Sequence, residues 1–185
     1  MLLDFNMLDT LITSKTRVKL LLKFFLNSNS SSYLRALEEE FDESSNAIRV
    51  ELNRFEEAGL LVSETVSNRK VYRSNTRHPL FKDIHSILLK YVGLDHVIGS
   101  IIEKIGDVRQ VYLIGDFARG INSDIIDLMI VTEGLDKTYL LKLVDKAEKL
   151  IKRKIRYLLM NSFEADIFLK KQSPSEYLLL WQSEG

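Results

Sequence analysis

The strongest constraint on the fold lies in residues 111–131. Two apolar stretches, Val111-Tyr-Leu-Ile114 and Ile125-Ile-Asp-Leu-Met-Ile-Val131, flank Gly115-Asp-Phe-Ala-Arg-Gly120 and the polar Asn122-Ser-Asp124. Short runs of β-branched and large aliphatic residues bounded by glycine read as buried strands. Strands apolar on both faces need helices to cover them. The following residues supply one. Gly134-Leu-Asp136 leads into an amphipathic helix over 137–153, with Leu140, Leu141, Val144, Ala147, Leu150 and Ile151 as its apolar face. Residues 154–160 form a third strand, Asn161-Ser-Phe-Glu164 opens another helix, and 174–181 reads as a last one.

This frame resembles the polymerase-β-like nucleotidyltransferases, including the minimal nucleotidyltransferases, over about residues 107–181. The family runs strand, Gly-Ser, a short helix with Ala-Arg-Gly, then Asp-x-Asp opening the next strand. Gly115 and Ala118-Arg119-Gly120 keep that outline. The resemblance implies an α/β domain with a small mixed sheet, and a chemistry in which three carboxylates hold two divalent metals that bind a triphosphate.

The chain departs from that pattern at three points. Asp116 stands where the family has its phosphate-binding Ser, and places negative charge beside the triphosphate. The acid pair reads Ile125 and Asp127, positions that share a strand face, while Asp124 and Asp127 point to opposite faces unless a bulge intervenes at Ile125-Ile126. The strand at 154–160 holds no acid, and Glu164 and Asp166 come after it. No catalytic residue is therefore expected: Asp116, Asp124 and Asp127 are vestigial candidates, the domain reads as a pseudoenzyme, and no metal or cofactor is expected, Mg²⁺ entering only under an active-enzyme reading. Gly115, Arg119, Gly120 and Asn122 keep a turn able to hold an anion, such as a nucleotide or another phosphorylated ligand.

The first 78 residues have a different rhythm. Ser14 caps a helix through Phe25 with Val18, Leu21, Leu22 and Phe25 at helical spacing. Residues 28–32 form a polar break, and Ser32 caps a helix over 33–41. Ser44 caps a third helix that Gly59 ends, with Ile48, Leu52 and Phe55 on one face. Two strands, 60–62 and 70–73, flank Ser67-Asn68. This order, together with Ser14-Lys-Thr-Arg-Val-Lys-Leu20 and the Glu57-Ala-Gly-Leu60 ending, resembles the winged helix-turn-helix of arsenic-responsive repressors.

The resemblance implies that the third helix enters the DNA major groove. Ser45, Asn46, Arg49 and Asn53 are then the base-facing candidates, and Arg69, Lys70 and Arg73 on the wing suit phosphates. Glu38, Glu39, Glu40, Glu56 and Glu57 should face away from the DNA. Metal sensing is not carried over, because the chain has no cysteine and no two of His78, His85 and His96 are three or four residues apart.

Between these parts, Pro79 suits a first helical turn. Leu80, Phe81, Ile84, Leu88, Tyr91 and Val92 follow at helical spacing, Gly93 interrupts, and Leu94, Val97, Ile98, Ile101, Ile102 and Ile105 continue. These helices either pack under the C-terminal part or pair with those of a second chain in a homodimer.

The expected organisation is α+β: a winged helix-turn-helix at 1–78, a helical linker at 79–106 and a nucleotidyltransferase-like domain at 107–185. Lys plus Arg and Asp plus Glu both number 26, and the first 78 residues are balanced too, so DNA binding must come from local patterning. No apolar run approaches the roughly 18 residues that span a bilayer. Met1-Leu-Leu-Asp-Phe-Asn6 lacks the basic start of a signal peptide, and the expected location is the cytoplasm. The leading expectation is a transcriptional regulator that binds double-stranded DNA. The alternatives are an active nucleotidyltransferase and an antitoxin-like protein-interaction module.

Overall fold

The computed structural model describes residues 11–99, 103–105 and 107–183; residues 1–6, read above for a leader, and Ile101 and Ile102 lie outside these. Helix α1, Lys15–Leu21, starts at Ser14, whose hydroxyl accepts the Arg17 N–H. It runs on as a π-helical turn over Leu22–Leu26, in which all five side chains are buried. Its four apolar side chains are covered on all sides, and Lys23 among them pairs with Glu40 at 2.7 Å.

Strand β1, Ser31–Tyr33, comes next, then α2, Leu34–Phe41. Here the expectation of Ser32 as a helix cap is corrected: Ser32 pairs with Tyr72 in a strand, and α2 starts one residue late with Tyr33 as an N-cap that makes no side-chain bond. An open strand edge offers this segment a ladder of backbone bonds, where a cap offers one.

Helix α3, Ser45–Glu57, begins at Ser44, which accepts the Ala47 N–H. Gly59 follows it at φ 71, and its carbonyl accepts the Asn75 amide at 2.8 Å. Strands β2, Leu61–Val66, and β3, Arg69–Ser74, are longer than the sequence suggested. Val66 pairs with Arg69, leaving Ser67 at φ 48 and Asn68 at φ 64, the positive pair of a type I′ hairpin turn. The sheet order is β1-β3-β2.

Pro79 precedes α4, Phe81–Val92, and Gly93 at φ 90 separates it from the short α5, Leu94–Val97; α6 is Glu103–Ile105. Strands β4, Val108–Ile114, β5, Ile125–Thr132, β6, Lys154–Met160, and β7, Tyr177–Gln182, form the second sheet in the order β6-β5-β4-β7. The β5–β6 pair is parallel and the others antiparallel, so the sheet is mixed. Helix α7, Gly115–Ala118, follows β4; α8, Lys137–Ile151, is capped by Asp136; α9, Ser162–Lys170, opens with a capping box between Asn161 and Glu164.

Two expectations for this part fail. Residues 174–181 hold a strand where a helix was expected: β7 pairs along β4 and closes its outer edge. Tyr-Leu-Leu-Leu-Trp suits a strand as readily as a helix, and the open edge decides. On α8 the buried face is Leu140, Leu143, Val144, Ala147 and Ile151, whereas Leu141 is 57% exposed and Leu150 also lies outside.

One continuous apolar cluster runs from Val18 through Leu22 and Phe25, Leu37, Ile48 and Leu52, Leu88 and Val92, to Leu113, Ile126, Ile130 and Ile155. Leu88, Val92, Leu94 and Val97 are therefore consumed within the chain, and the Phe81 ring lies tilted against Phe25 with centroids 5.9 Å apart. A smaller cluster of Tyr112, Met129 and Val131 is covered by Ala165 of α9. The fold is mixed α+β with two small sheets, compatible with a nucleotidyltransferase-like frame in its second half. Among the described residues no helix is long and apolar enough to cross a membrane.

Candidate functional site

The acids of the C-terminal frame meet their fate in the register of β5 and β6. That pairing runs without a bulge from Ile125↔Lys154 to Val131↔Met160, so Asp124 stays outside the strand and is exposed. Asp127 lies directly beside Arg156. The guanidinium donates two bonds to it, Nε to Oδ1 at 2.6 Å and Nη2 to Oδ2 at 2.9 Å. Those bonds also hold the Arg156 pKa above its ordinary value.

Asp116 is likewise paired, with Arg119 Nη2 at 2.7 Å. Among the described residues no three His, Cys, Asp or Glu side chains gather to hold a metal ion. The donor set does not fit two divalent cations: where the resemblance calls for a further carboxylate on the neighbouring strand, an arginine stands and takes both oxygens of Asp127. Purified protein given Mg²⁺ or Mn²⁺, labelled nucleoside triphosphates and candidate acceptors is expected to show no transfer above that of Asp127→Ala. Transfer that disappears in that variant would restore the enzyme reading.

The four anion-binding candidates are engaged inside the chain. Gly115 sits at φ 69, and a Cβ there would come 2.5 Å from Asp127 Oδ2, so the glycine lets the carboxylate tuck under the turn. Gly120, at φ 77, faces the backbone of the π-helical turn, where a Cβ would lie 2.9 Å from the carbonyl oxygens of Leu22 and Lys23. Lys23 Nζ donates to the Arg119 carbonyl at 3.1 Å and to Glu40 at 2.7 Å. Asn122 Oδ1 accepts from Arg153, whose guanidinium also reaches the Ser123 carbonyl and stacks over Phe117. What the sequence offered as a ligand cradle is largely a joint between the two halves of the chain.

The N-terminal half holds a groove of about 570 Å³ between α2, α3 and the β2–β3 hairpin. Ser45, Arg49, Asn53, Arg69 and Lys70 line it with Tyr33, Arg35, Glu38 and Tyr72. Asn46 is exposed on α3 and Arg73 on β3, and neither lines the groove. The spacing explains the gathering: positions 45, 49 and 53 on one helix share a stripe, and the hairpin turn swings Arg69 and Lys70 back over it.

Two acids depart from expectation. Glu38 faces the groove. Glu56 bonds Lys70 Nζ at 2.7 Å and Ser63 Oγ at 2.6 Å, contacts that hold its carboxyl below the usual range and raise the lysine. The others stand apart: Glu39 pairs with Arg35 at 3.7 Å, Glu40 turns to Lys23, and Glu57 is exposed. Arg69 lies 4.7 Å from the Tyr33 ring centroid, so its charge rides on an aromatic face at the groove's rim.

Arg156 and Tyr33 escaped the sequence reading. The alternation of β6 could have placed Arg156 on the face of Asp127, had the parallel register been known.

No protein-family model matches the chain, and no curated protein matches it significantly. Among solved structures, a mutant of the toxin–antitoxin MntA-HpeT shares 20% identity over 49% of this chain and 73% of its own, at a TM-score of 0.38. A toxin–antitoxin structure described as carrying AMP-PNP shares 19% over the same fractions, also at 0.38. Likeness at that level leaves function to be argued from the chain's own residues.

Proposed function

We propose that the chain is a DNA-binding transcriptional regulator: a winged helix-turn-helix that presents α3 to the major groove, carried on a nucleotidyltransferase-like frame without transfer chemistry. The observation that supports this is the groove in which one helix stripe, Ser45, Arg49 and Asn53, meets the hairpin cations Arg69 and Lys70. Arg49 suits a guanine edge and Asn53 an adenine edge, while Arg69 and Arg73 suit phosphates. Lys70 is partly spent on Glu56, and the chain's balanced charge makes this local cluster decisive.

Binding of purified protein to genomic DNA fragments, selected and then titrated over salt, tests the reading. Arg49→Ala is expected to weaken the selected site by about 5- to 150-fold, the loss of one bidentate base contact. Arg69→Ala is expected to lower the salt slope by about one. No binding at low salt, where phosphate contacts are strongest, sinks the proposal.

A second reading, an antitoxin-like module that binds a protein, rests on α9. Phe163 is 74% exposed there and Ile167 lies one turn on, an apolar stripe turned away from the sheet. It is the reading nearer to the descriptions of the two solved structures. Phe163→Glu would abolish a protein partner's capture and leave DNA binding intact, which separates the two.

A further inference from the structure

Where the two halves of the chain meet, a cavity of about 190 Å³ opens beside the joint. Lys23 and the Ser30-Ser31 pair line it from the N-terminal half, Arg119 from the end of α7, and Ser173, Ser175 and Glu176 from the turn before β7. None of Asp116, Asp124 and Asp127 lines it, and of the four anion-turn candidates only Arg119 does. It is therefore a different place from the vestigial acid face.

Its walls are held by bonds that need no ligand. The Ser30 N–H donates to the Asn27 carbonyl at 3.0 Å, and the Asn27 amide donates to the Tyr177 carbonyl at 3.0 Å. The Ser173 N–H donates to Glu176 Oε2 at 2.7 Å, and the Glu176 N–H to the Ser173 carbonyl at 2.9 Å. A site built this way loses little freedom when it is filled.

What the walls leave unspent is hydrogen-bond donors. The Ser30 hydroxyl is buried, in a residue only 3% exposed, and has no hydrogen-bond partner among the described residues. Buried hydroxyls are bonded as a rule, so this one calls for an acceptor from outside the chain. The Lys23 ammonium has three N–H groups and gives two, to Glu40 and to the Arg119 carbonyl. The Arg119 guanidinium has five and gives one, to Asp116. A phosphate group matches these donors, because it carries three strong acceptor oxygens and close to two negative charges. The space is below the roughly 300 Å³ at which drug-sized ligand sites begin, so the occupant is small. Glu176 is the one acid on the wall, and it suits a hydroxyl beside the phosphate better than a second phosphate.

We infer that this cavity binds the phosphate group of a small phosphomonoester, or free phosphate, through Ser30, Lys23 and Arg119. The inference does not depend on the DNA-binding reading.

Calorimetric titration with inorganic phosphate and, in parallel, with glycerol 3-phosphate tests it, at constant ionic strength set by chloride. Saturable binding is expected with a Kd of roughly 0.1–1 mM. Tighter binding of the ester names a phosphorylated small molecule as the occupant, and equal binding names the free ion. Ser30→Ala is expected to weaken binding about tenfold or more, the loss of a hydrogen bond to a charged group, without lowering the thermal midpoint of the unliganded chain, since that hydroxyl bonds nothing there. Arg119→Gln is expected to weaken it by a similar factor. Amide shifts under titration should centre on Ser30, Ser31, Arg119 and Ser175. No saturable binding of either probe, an affinity unmoved by either substitution, or shifts centred on Arg69 and Lys70 overturns the inference.

Discussion

Replacing Gly120 with alanine is expected to unfold the chain, or to cost at least about 4 kcal/mol, the range reserved for strain combined with a core clash. Two independent penalties meet at this residue. Its φ of 77 is a conformation that side-chain-bearing residues adopt at a cost of about 1–2 kcal/mol. The added methyl would also press on rigid groups, the Lys23 Cα and the carbonyl oxygens of Leu22 and Lys23. Those atoms belong to the fully buried π-helical turn and cannot move aside without opening the cluster around Phe24 and Phe25. Gly134→Ala is the matched control, because a Cβ there meets nothing within 4 Å. Urea denaturation followed by the fluorescence of Trp181, the sole tryptophan, reads both variants. A Gly120→Ala protein with a native midpoint would mean that the two halves are far looser than their contacts imply.

Substituting glutamine for Glu51 is expected to cost about 2–4 kcal/mol, in the range for breaking one side of a buried charge pair. Glu51 is buried on α3 and holds α1 against it. Arg17 donates Nε at 2.9 Å and Nη2 at 3.1 Å, Ser14 Oγ donates at 3.2 Å, and Arg54 adds a contact at 3.2 Å. Ser14 thus serves twice, accepting from the first turn of α1 and donating to this carboxylate.

Burial alone would raise the Glu51 carboxyl, but the bonds from Arg17 and Ser14 and the charges of Arg17 and Arg54 outweigh it, and the net shift is below the usual 4.5. A carboxylate with a depressed native pKa contributes its stability above the unfolded value and loses it as pH falls through the native one. Glu43, bonded by Lys19 and Thr16, shifts the same way. Between about pH 6 and pH 3 the native chain should lose stability more steeply than Glu51→Gln. Parallel acid limbs in the two proteins would remove Glu51 from that account.

The helices were legible in the sequence wherever a cap and a stripe agreed. Ser44, Ile48, Leu52, Phe55 and Gly59 specify α3 nearly to the residue, because each signal is local. The strands at 125–132 and 154–160 were legible because glycine and polar turns bound them. Residues 31–33 and 177–182 were not, for one shared reason: each becomes a strand only because an edge distant in sequence, β3 or β4, is waiting for it. The mistaken face of α8 has another cause. Leu141 and Leu150 sit at the borders of the stripe, where 3.6-residue periodicity cannot distinguish a flank from a centre.

The anion cradle misled because a glycine kept for a ligand and a glycine kept for a passing backbone look alike in sequence. Gly120 turned out to be the second kind. That Asp127 has no second acid on its own strand face was legible, since strand parity isolated it. That an arginine would neutralise it required the register.

Asn27 ties these halves together in a way that has a temporal side. Its buried amide donates to the Ala118 carbonyl at 2.9 Å and to the Tyr177 carbonyl at 3.0 Å, partners 91 and 150 residues further on. A ribosome adds about 5–20 residues each second, so roughly 8–30 seconds separate this asparagine from its last acceptor. Through that interval the amide stays wet and the outer margin of β4 stays open. Only when β7 has been made can Asn27, at the end of the π-helical turn, complete its hydrogen bonds.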